Sequence, residues 1–317
     1  MKILLVGANG FIGSEIYEKL KGKAELTLAF RNEDSKKRFK VKYGYERDDI
    51  TDESVGNTDL PVKFCTGSVT DVAYCDVITK NIDVIINLAG LITGDESAQF
   101  ESNIAGFFNL ASAAVNNGVS AFFYASSASV YGGMKECHRE SDKTGITSFY
   151  SVSKIIDENL AEYFAKNYST KFVGLRFFNP YGNSNIKSWD VTSKYFLAAL
   201  TGKVLIVSNL NATRDFIYIK DVAEITAELI FKWNDITENI INVATGHGTK
   251  MLDLAKTIVE VTGSESEIIL ETEPVNIVKS VANVEIQKKY VNIKLTSLYD
   301  GISETYMKNK DIWKNFT

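Results

Sequence analysis

Near its beginning the chain reads Lys2-Ile3-Leu4-Leu5-Val6-Gly7-Ala8-Asn9-Gly10-Phe11-Ile12-Gly13. Residues 2–6 form a short, almost wholly apolar run, which is typical of a strand buried on both faces of a sheet. Three glycines follow at a spacing of three, and the apolar residues after them recur at helical spacing. The stretch therefore predicts a strand, a glycine-rich turn and a helix, in that order.

The turn has the pattern of a phosphate-binding loop. Gly7 allows a tight turn, Gly10 lets the backbone approach a phosphate, and Gly13 lets the helix pack closely on the strand. A pyrophosphate would lie at the helix N-terminus, beside Phe11 and Ile12, where free N–H groups and the helix dipole favour an anion. A glycine triplet alone is a weak match, and a plain strand-to-helix turn is the alternative. The context favours a dinucleotide site.

Outward from this stretch, strand and helix patterns alternate. Further strands are predicted at residues 26–30, 62–65, 83–90, 121–125, 172–175, 204–207 and 239–243. Helices are predicted at residues 103–116, 194–200, 221–231 and 252–261, and residues 32–60 as a short basic helix followed by a surface loop. A further predicted helix carries Tyr150 and Lys154, with Ile155, Leu160 and Phe164 facing the sheet. This order predicts an α/β fold with a doubly wound parallel sheet, whose ligands bind at the carboxyl ends of the strands. Residues 239–243 are expected to return to that sheet.

The composition is that of an ordinary globular protein. The 317 residues are 45% hydrophobic and 24% charged, and the formal net charge is −5. No basic block is present that could neutralise several phosphates, which argues against nucleic acid as a partner. The apolar run at residues 3–6 is too short for a signal peptide or a membrane span, so no membrane partner is predicted.

The cysteines and histidines carry no metal-binding pattern. Cys65, Cys75 and Cys137 are odd in number and lack metal-ligand spacing, so they are interpreted as reduced thiols of a cytoplasmic protein. His138 and His247 are isolated, and no metal site is predicted.

The second predicted strand ends at Arg31. Enzymes that hold NAD usually place a carboxylate here to bind the ribose 2′-hydroxyl, whereas an arginine suits a 2′-phosphate. Arg31, helped by Lys36 or Arg38, therefore predicts NADP as the cofactor. The alternative is NAD, with Arg31 stacked on the adenine and Asp34 turned inward.

Tyr150 and Lys154 lie four residues apart in a predicted helix and therefore share one face. A lysine ammonium there stabilises a tyrosinate, which makes the phenol usable as an acid or base near neutral pH. This spacing occurs often by chance, so its weight depends on the rest of the chain.

Several motifs, in a fixed order, resemble the extended short-chain dehydrogenase/reductase family and in particular its nucleotide-sugar epimerases, reductases and dehydratases. In chain order they are the Gly7–Gly13 loop, Asn87-Leu88-Ala89-Gly90, Asn103-Ile104-Ala105-Gly106, Ser126-Ser127-Ala128-Ser129-Val130-Tyr131-Gly132, Tyr150-xxx-Lys154, Arg176-Phe177-Phe178-Asn179-Pro180-Tyr181-Gly182, the segment from Thr213 to Ala223, and Asn242-Val243-Ala244-Thr245-Gly246. So many ordered motifs make a chance match very improbable.

The resemblance implies separate roles for three residues at a hydride-transfer site. Tyr150 would exchange a proton with the substrate oxygen, and Ser127 would hydrogen-bond the same oxygen. Lys154 would hold the nicotinamide ribose and favour the ionised tyrosine. Charge develops on oxygen when a hydride moves, and fixed donors stabilise it. The alternatives are a strand-end cap for Ser127 and a packed aromatic for Tyr150.

The resemblance also assigns binding residues. Cofactor contacts are implied for the glycine loop, Arg31, Ser68, Val69, Leu88, Ala89, Gly90, Asn103, Tyr150, Lys154 and Phe177, and substrate contacts for Ser127, Asn179 and Arg214. Ser68 stands where the family usually has an aspartate against adenine. For Arg214, a contact with a substrate diphosphate is favoured over a salt bridge to Asp215.

Departures from the family pattern narrow the reaction. Ala128 and Ser129 occupy the positions of the acidic pair that dehydratases use, which argues against dehydration. NADPH-dependent reduction of a 4-keto nucleotide sugar is favoured, with C4 epimerisation by a retained cofactor as the alternative. A non-catalytic cofactor-binding protein is a third hypothesis, disfavoured because the Tyr150–Lys154 pair is present.

The predicted organisation is a Rossmann sheet with a smaller, interleaved C-terminal substrate-binding domain. Residues 1–178, completed by about 212–245, form the cofactor domain, and residues 179–211 and 246–317 the substrate domain. The resemblance implies a homodimer formed through the Tyr150 helix and the helix at 103–116.

Overall fold

The structure is a computed structural model that describes residues 1–45, 60–133, 137–183, 185, 190–208, 212–271 and 279–313. Most of the loop predicted within 32–60 lies outside these ranges. The strands are β1 (Lys2–Val6), β2 (Glu25–Phe30), β3 (Val62–Thr66), β4 (Val84–Asn87), β5 (Ala121–Ser127), β6 (Cys137–His138), β7 (Lys171–Phe177), β8 (Asn179–Tyr181), β9 (Leu205–Ser208), β10 (Thr213–Arg214), β11 (Phe216–Tyr218), β12 (Ile240–Val243), β13 (Thr249–Lys250), β14 (Ile268–Glu271) and β15 (Lys279–Ala282).

The helices connect these strands. They are α1 (Phe11–Leu20), α2 (Glu33–Lys42), α3 (Val72–Thr79), α4 (Glu96–Gln99), α5 (Gly106–Asn116), α6 (Phe149–Asn167), α7 (Val191–Leu200), α8 (Ile219–Phe231), α9 (Met251–Thr262), α10 (Glu285–Tyr290) and α11 (Leu298–Trp313). A π-helix at Phe100–Ala105 joins α4 to α5, and a 3-10 turn at Ala128–Tyr131 follows β5.

The main sheet confirms the predicted doubly wound fold. Its strand order is β12-β7-β5-β4-β1-β2-β3, and the pairings of β1 with β2 and β4, of β2 with β3 and of β4 with β5 are parallel. β1 lies between β4 and β2, which explains its apolar run: Ile3, Leu4 and Leu5 are fully buried. The expected return of residues 239–243 is confirmed, because β12 forms the edge beside β7.

Two predicted elements have ends that differ from the observed ones. The strand expected at 83–90 stops at Asn87, whose side-chain oxygen accepts the Ala89 N–H at 3.1 Å. The helix expected at 103–116 begins as a π-helix, and its regular α-helical part starts at Gly106. Residues 88–95, between β4 and α4, are irregular and follow the carboxyl end of β4.

The C-terminal part holds elements that the sequence patterns did not indicate. The region after residue 264 contains β14, β15, α10 and the sixteen-residue helix α11. α11 mixes charged, polar and apolar residues, and it buries Ile302 and Trp313. β10, β13, β15 and β6 form a four-stranded sheet, while β8 pairs with β11 and β9 with β14.

The chain divides into two compact units. The first consists of Met1–Val130, Thr144–Arg176 and Ala223–Ile241, and the second of Tyr131–Lys143, Phe177–Val222 and Asn242–Thr317. These bounds differ from the predicted domains chiefly at 131–143 and 212–222, which cluster with the second unit. The assignment of cofactor and substrate binding to separate domains stays a prediction.

Candidate active site

The glycine loop connects β1 to α1 and has room for an anion. Gly7 has φ +87°, a value that disfavours residues with a side chain. A Cβ at Gly13 would lie 2.2 Å from the carbonyl oxygen of Gly7, so only glycine permits this approach of helix to turn. α1 begins after Gly10 without a side-chain cap, which leaves its first N–H groups for a ligand. The loop therefore fits the pyrophosphate of a dinucleotide.

The segment after β4 is held in place by a buried amide. The Asn103 side chain accepts the Leu91 N–H at 2.7 Å and donates to the Leu91 carbonyl at 2.9 Å and to Ser153 Oγ at 3.0 Å. These bonds occupy both amide hydrogens, so in this structure Asn103 binds the loop that carries Gly90. A direct cofactor contact by Asn103 stays a prediction.

Tyr150 and Lys154 lie on α6, whose start is fixed by a capping box. Ser148 Oγ accepts the Ser151 N–H, and Ser151 Oγ accepts the Ser148 N–H. The Lys154 Nζ lies 5.9 Å from the centre of the Tyr150 ring, and a Cβ at Gly90 would be 3.6 Å from that nitrogen. The first unit therefore brings the predicted proton-transfer pair to the carboxyl end of β4.

Asp157 is a residue of this region that the sequence reasoning missed. Its carboxylate pairs with Lys154 at 3.0 Å, and both side chains are almost fully buried. Burial raises the pKa of Asp157 to about 6, and the Lys154 charge opposes that rise. The signal available in the sequence was an acid three residues after Lys154, on the same helix face.

The buried face of α6 differs in part from the predicted one. Phe164 is buried and Leu160 packs partly buried against the core, as predicted. Ile155 is only half-buried, because Lys154 and Asp157 occupy the inward positions of that turn.

A second buried ion pair fastens α6 to the sheet. Arg176 on β7 forms a bidentate ion pair with Glu158, in which both N···O distances are 2.8 Å. Ser126 on β5 donates to the same carboxylate at 2.6 Å. These contacts connect the helix to two strands, so they fix the face that carries Tyr150.

Ser127 ends β5 on the same side of the sheet. Its Oγ accepts the Ser129 N–H at 3.1 Å and is only partly buried. Accepting that bond leaves the hydroxyl hydrogen able to donate to a substrate oxygen. The strand-end cap and the catalytic donor are therefore compatible roles for one side chain.

The family follows from the sequence match. Residues 3–244 match the NAD dependent epimerase/dehydratase family. The chain belongs to that family. A UDP-glucose 4-epimerase from Haemophilus influenzae is 29% identical over 288 residues, which cover 81% of each protein. The predicted resemblance to extended short-chain dehydrogenases/reductases, an enzyme family, is thus confirmed.

Solved structures share the fold over almost the whole chain. A UDP-glucose 4-epimerase from Thermotoga maritima, solved with UDP-glucose, superposes with a TM-score of 0.81 at 22% identity and covers 98% of this chain and 99% of its own. A UDP-glucuronic acid 4-epimerase from Bacillus cereus, solved with UDP-glucuronic acid and NAD, gives a TM-score of 0.82 at 22% identity and covers 98% and 100%.

The residues predicted to select the cofactor lie at the end of β2 and on α2. Arg31 is exposed at the end of β2, while Lys36 pairs with Glu33 at 2.6 Å and Arg38 donates to Ser35. Asp34 is exposed in the first turn of α2 rather than turned inward.

Near the end of β3, Ser68 and Val69 make contacts within the protein. The Ser68 and Thr70 hydroxyls lie 2.7 Å apart, and the Val69 side chain packs where a Cβ at Gly106 would clash. Leu88 and Ala89 are partly buried, and their backbone continues from β4 into the loop that Asn103 holds. Cofactor contacts by these four residues stay predictions.

Phe177, Asn179 and Arg214 belong to the second unit. Phe177 is buried, and the Asn179 side chain donates to the Asp215 carbonyl at 3.0 Å. Burial lowers the pKa of Arg214. The Asp215 carboxylate accepts bonds from Thr245, Gly246 and Ala282, and burial raises its pKa. Substrate contacts by Asn179 and Arg214 stay predictions.

The described residues also bear on metal binding, membrane insertion and the state of the cysteines. Within them no cluster of three or more His, Cys, Asp or Glu side chains could hold a metal ion. No helix of the described ranges is both long and apolar enough to cross a membrane. The three cysteines are free thiols.

Proposed function

We propose that the chain is a nucleotide-sugar 4-epimerase that retains NAD. The observation that carries the proposal is the position of Lys154, between the Tyr150 ring and Gly90 at the end of β4, in a chain of the epimerase/dehydratase family. Relatives named UDP-glucose 4-epimerase and fold neighbours solved with NAD and UDP-sugars support it. This reverses the order favoured by the sequence, in which reduction came first.

The residues have separate tasks in such a reaction. Bound NAD supplies the chemistry of taking up a hydride from the sugar carbon and giving it back. Tyr150 Oη takes the proton of the sugar hydroxyl and later returns it, while Ser127 donates a hydrogen bond to the same oxygen. The Lys154 ammonium stabilises the tyrosinate. Proton and hydride both return to the sugar, so no net oxidation occurs.

Dehydration is disfavoured by the turn after β5. Ala128 and Ser129 form the start of that 3-10 turn, at the positions where dehydratases of the family carry acids. Neither residue supplies a carboxyl group for the acid–base steps of water elimination.

Reduction of a 4-keto nucleotide sugar by NADPH is the second candidate, because Arg31 favours it. An exposed arginine at the end of β2 provides a cation for a 2′-phosphate at the point where NAD enzymes usually provide a carboxylate. A reductase would use the same Tyr150 and Ser127 but would leave the hydride on the product.

The test is to identify the nucleotide that the purified protein releases on denaturation and to follow UDP-hexoses by NMR without added cofactor. We expect bound NAD and interconversion of the two C4 epimers with no net change in reduced nicotinamide. Tyr150→Phe should lack this activity. Stoichiometric oxidation of added NADPH by a 4-keto sugar, without interconversion of epimers, would establish the reductase instead.

A further inference from the structure

A buried carboxylate lies beside Lys154 and takes part in none of the proposed steps. Asp157 is 1% exposed, and its Oδ2 lies 3.0 Å from Lys154 Nζ. Its Oδ1 is buried and has no hydrogen-bond partner among the described residues. An ionised carboxylate in such a position is costly unless the neighbouring cation compensates it.

Asp157 changes the protonation of Lys154. Burial alone would lower the pKa of this lysine, because the desolvated ammonium is disfavoured. The Asp157 carboxylate, together with Tyr150 and Glu158, outweighs that effect, and the pKa of Lys154 lies above its ordinary value. The charge of Lys154 therefore depends on its neighbour one turn along α6.

Two other titratable groups near Lys154 and Asp157 are either paired with another residue or uncharged. Glu158, the next residue on α6, is bound by Arg176 in the bidentate pair. Burial, followed by the charges of Glu158 and Asp157, raises the pKa of Tyr124 on β5, which therefore faces the pair as a neutral phenol. Asp157 is thus the carboxylate in direct contact with Lys154.

In the described part of the chain, α5, α4 and the π-helix also pack on α6, and they bring no buried charge to it. α5 has no titratable side chain. α4 and the π-helix contribute Glu96 and Glu101, and both are exposed to solvent, which screens them.

We infer that Asp157 is a positioning residue that keeps Lys154 protonated and directed at Tyr150. The inference rests on the proposed function, in which Lys154 stabilises the Tyr150 tyrosinate. Without the carboxylate, burial favours the neutral form of Lys154. The tyrosinate of the proposed mechanism then loses its stabilising charge.

The first experiment needs neither substrate nor cofactor. Thermal unfolding at pH 7.5 is compared for the wild type, Asp157→Asn, Lys154→Met and the double variant. We expect Asp157→Asn to raise Tm more in the Lys154→Met background than in the wild-type background, because the buried carboxylate is then without its counter-ion. Additive Tm changes would overturn the inference, whatever reaction the enzyme catalyses.

The second experiment follows the pH dependence of kcat and KM. In Asp157→Asn the acid limb of the kcat profile should move to higher pH by about one unit or more, with KM changed less than kcat. Asp157→Glu should restore most of the wild-type profile. Glu158→Gln, which removes the adjacent buried carboxylate, should move the limb less.

The two experiments distinguish failure of the positioning role of Asp157 from failure of the proposed function. An unmoved acid limb in Asp157→Asn, or an equal shift in Glu158→Gln, would overturn the positioning role. If no variant and no wild-type protein turns over UDP-hexoses, the proposed function fails, and the Tm comparison still decides whether Asp157 is the counter-ion of Lys154.

Discussion

The Lys154 ammonium lies 5.9 Å from the centre of the Tyr150 ring, one turn along the same helix. The spacing of four residues places both side chains on one face, and the Ser148 capping box fixes where that helix begins. The charge therefore acts on the phenol at short range inside a poorly hydrated region, where electrostatic effects are strong. Chemistry at Tyr150 should depend on its hydroxyl and not on its ring.

Tyr150→Phe removes that hydroxyl and keeps the ring. We expect kcat for epimer interconversion to fall by about 100-fold or more, since general acid–base catalysis typically contributes that much. The circular dichroism spectrum and Tm should change little. Tyr163→Phe, at an exposed tyrosine of the same helix, is the matched control and should keep wild-type kcat. Equal kcat values for wild type and Tyr150→Phe would remove Tyr150 from the proposed mechanism.

Gly13→Ala tests the close approach of α1 to the turn. The new Cβ would lie 2.2 Å from the Gly7 oxygen, so α1 must shift, at a cost of about 1–3 kcal/mol in unfolding free energy. The same shift displaces the N–H groups proposed to hold the pyrophosphate, and the purified protein should retain less cofactor, measured after denaturation. Gly202→Ala is the control: its φ of +65° is strained but no atom lies within 4 Å, so stability should fall without loss of cofactor.

The glycine loop and the main sheet could be predicted because local patterns specify them. A buried parallel strand requires a continuous apolar run, and Gly13 is needed for backbone contact between α1 and Gly7. The spacing of Tyr150 and Lys154 predicted a shared helix face, and the structure places them on one helix with the Lys154 ammonium near the Tyr150 ring. Their catalytic roles remain to be tested.

The features that escaped prediction depend on contacts distant in sequence. Asn103 holds the loop after β4 through bonds to Leu91, twelve residues away, which no periodicity indicates. Asp157 resembles a surface acid until the tertiary structure buries it against Lys154. α11 was missed because its few buried residues, such as Trp313, are separated by charged ones and gain their burial from packing within the second unit.

Arg31→Asp distinguishes the two cofactors. If Arg31 binds a 2′-phosphate, the substitution removes a charge-assisted contact and introduces repulsion, so NADP should bind about 10- to 100-fold more weakly. NAD lacks that phosphate, so its dissociation constant should change by less than about threefold. Lys37→Asp makes the same charge change at an exposed position of α2 and is the control. Equal weakening of both nucleotides, measured by calorimetry on cofactor-free protein, would show that Arg31 does not select the phosphate.

The titration of Asp157 should be visible in stability as a function of pH. Its pKa is about 6 in the folded protein, against the ordinary value of 3.8, so between these values the folded chain binds a proton that the unfolded chain has released. The stability from this group is therefore complete below about pH 4 and is lost as the pH rises through about 6. A shift of this size corresponds to about 3 kcal/mol at most.

We therefore expect the unfolding free energy of the wild type, relative to Asp157→Asn, to decrease by about 2 kcal/mol between pH 4.5 and pH 7.5 in urea titrations. Using the difference between the two proteins cancels the titration of the other carboxyl groups, which they share. Glu162→Gln, at an exposed ion pair of the same helix, should show no such slope. A difference that grew with pH would place the folded pKa of Asp157 below its ordinary value and would mean that pairing with Lys154 outweighs burial.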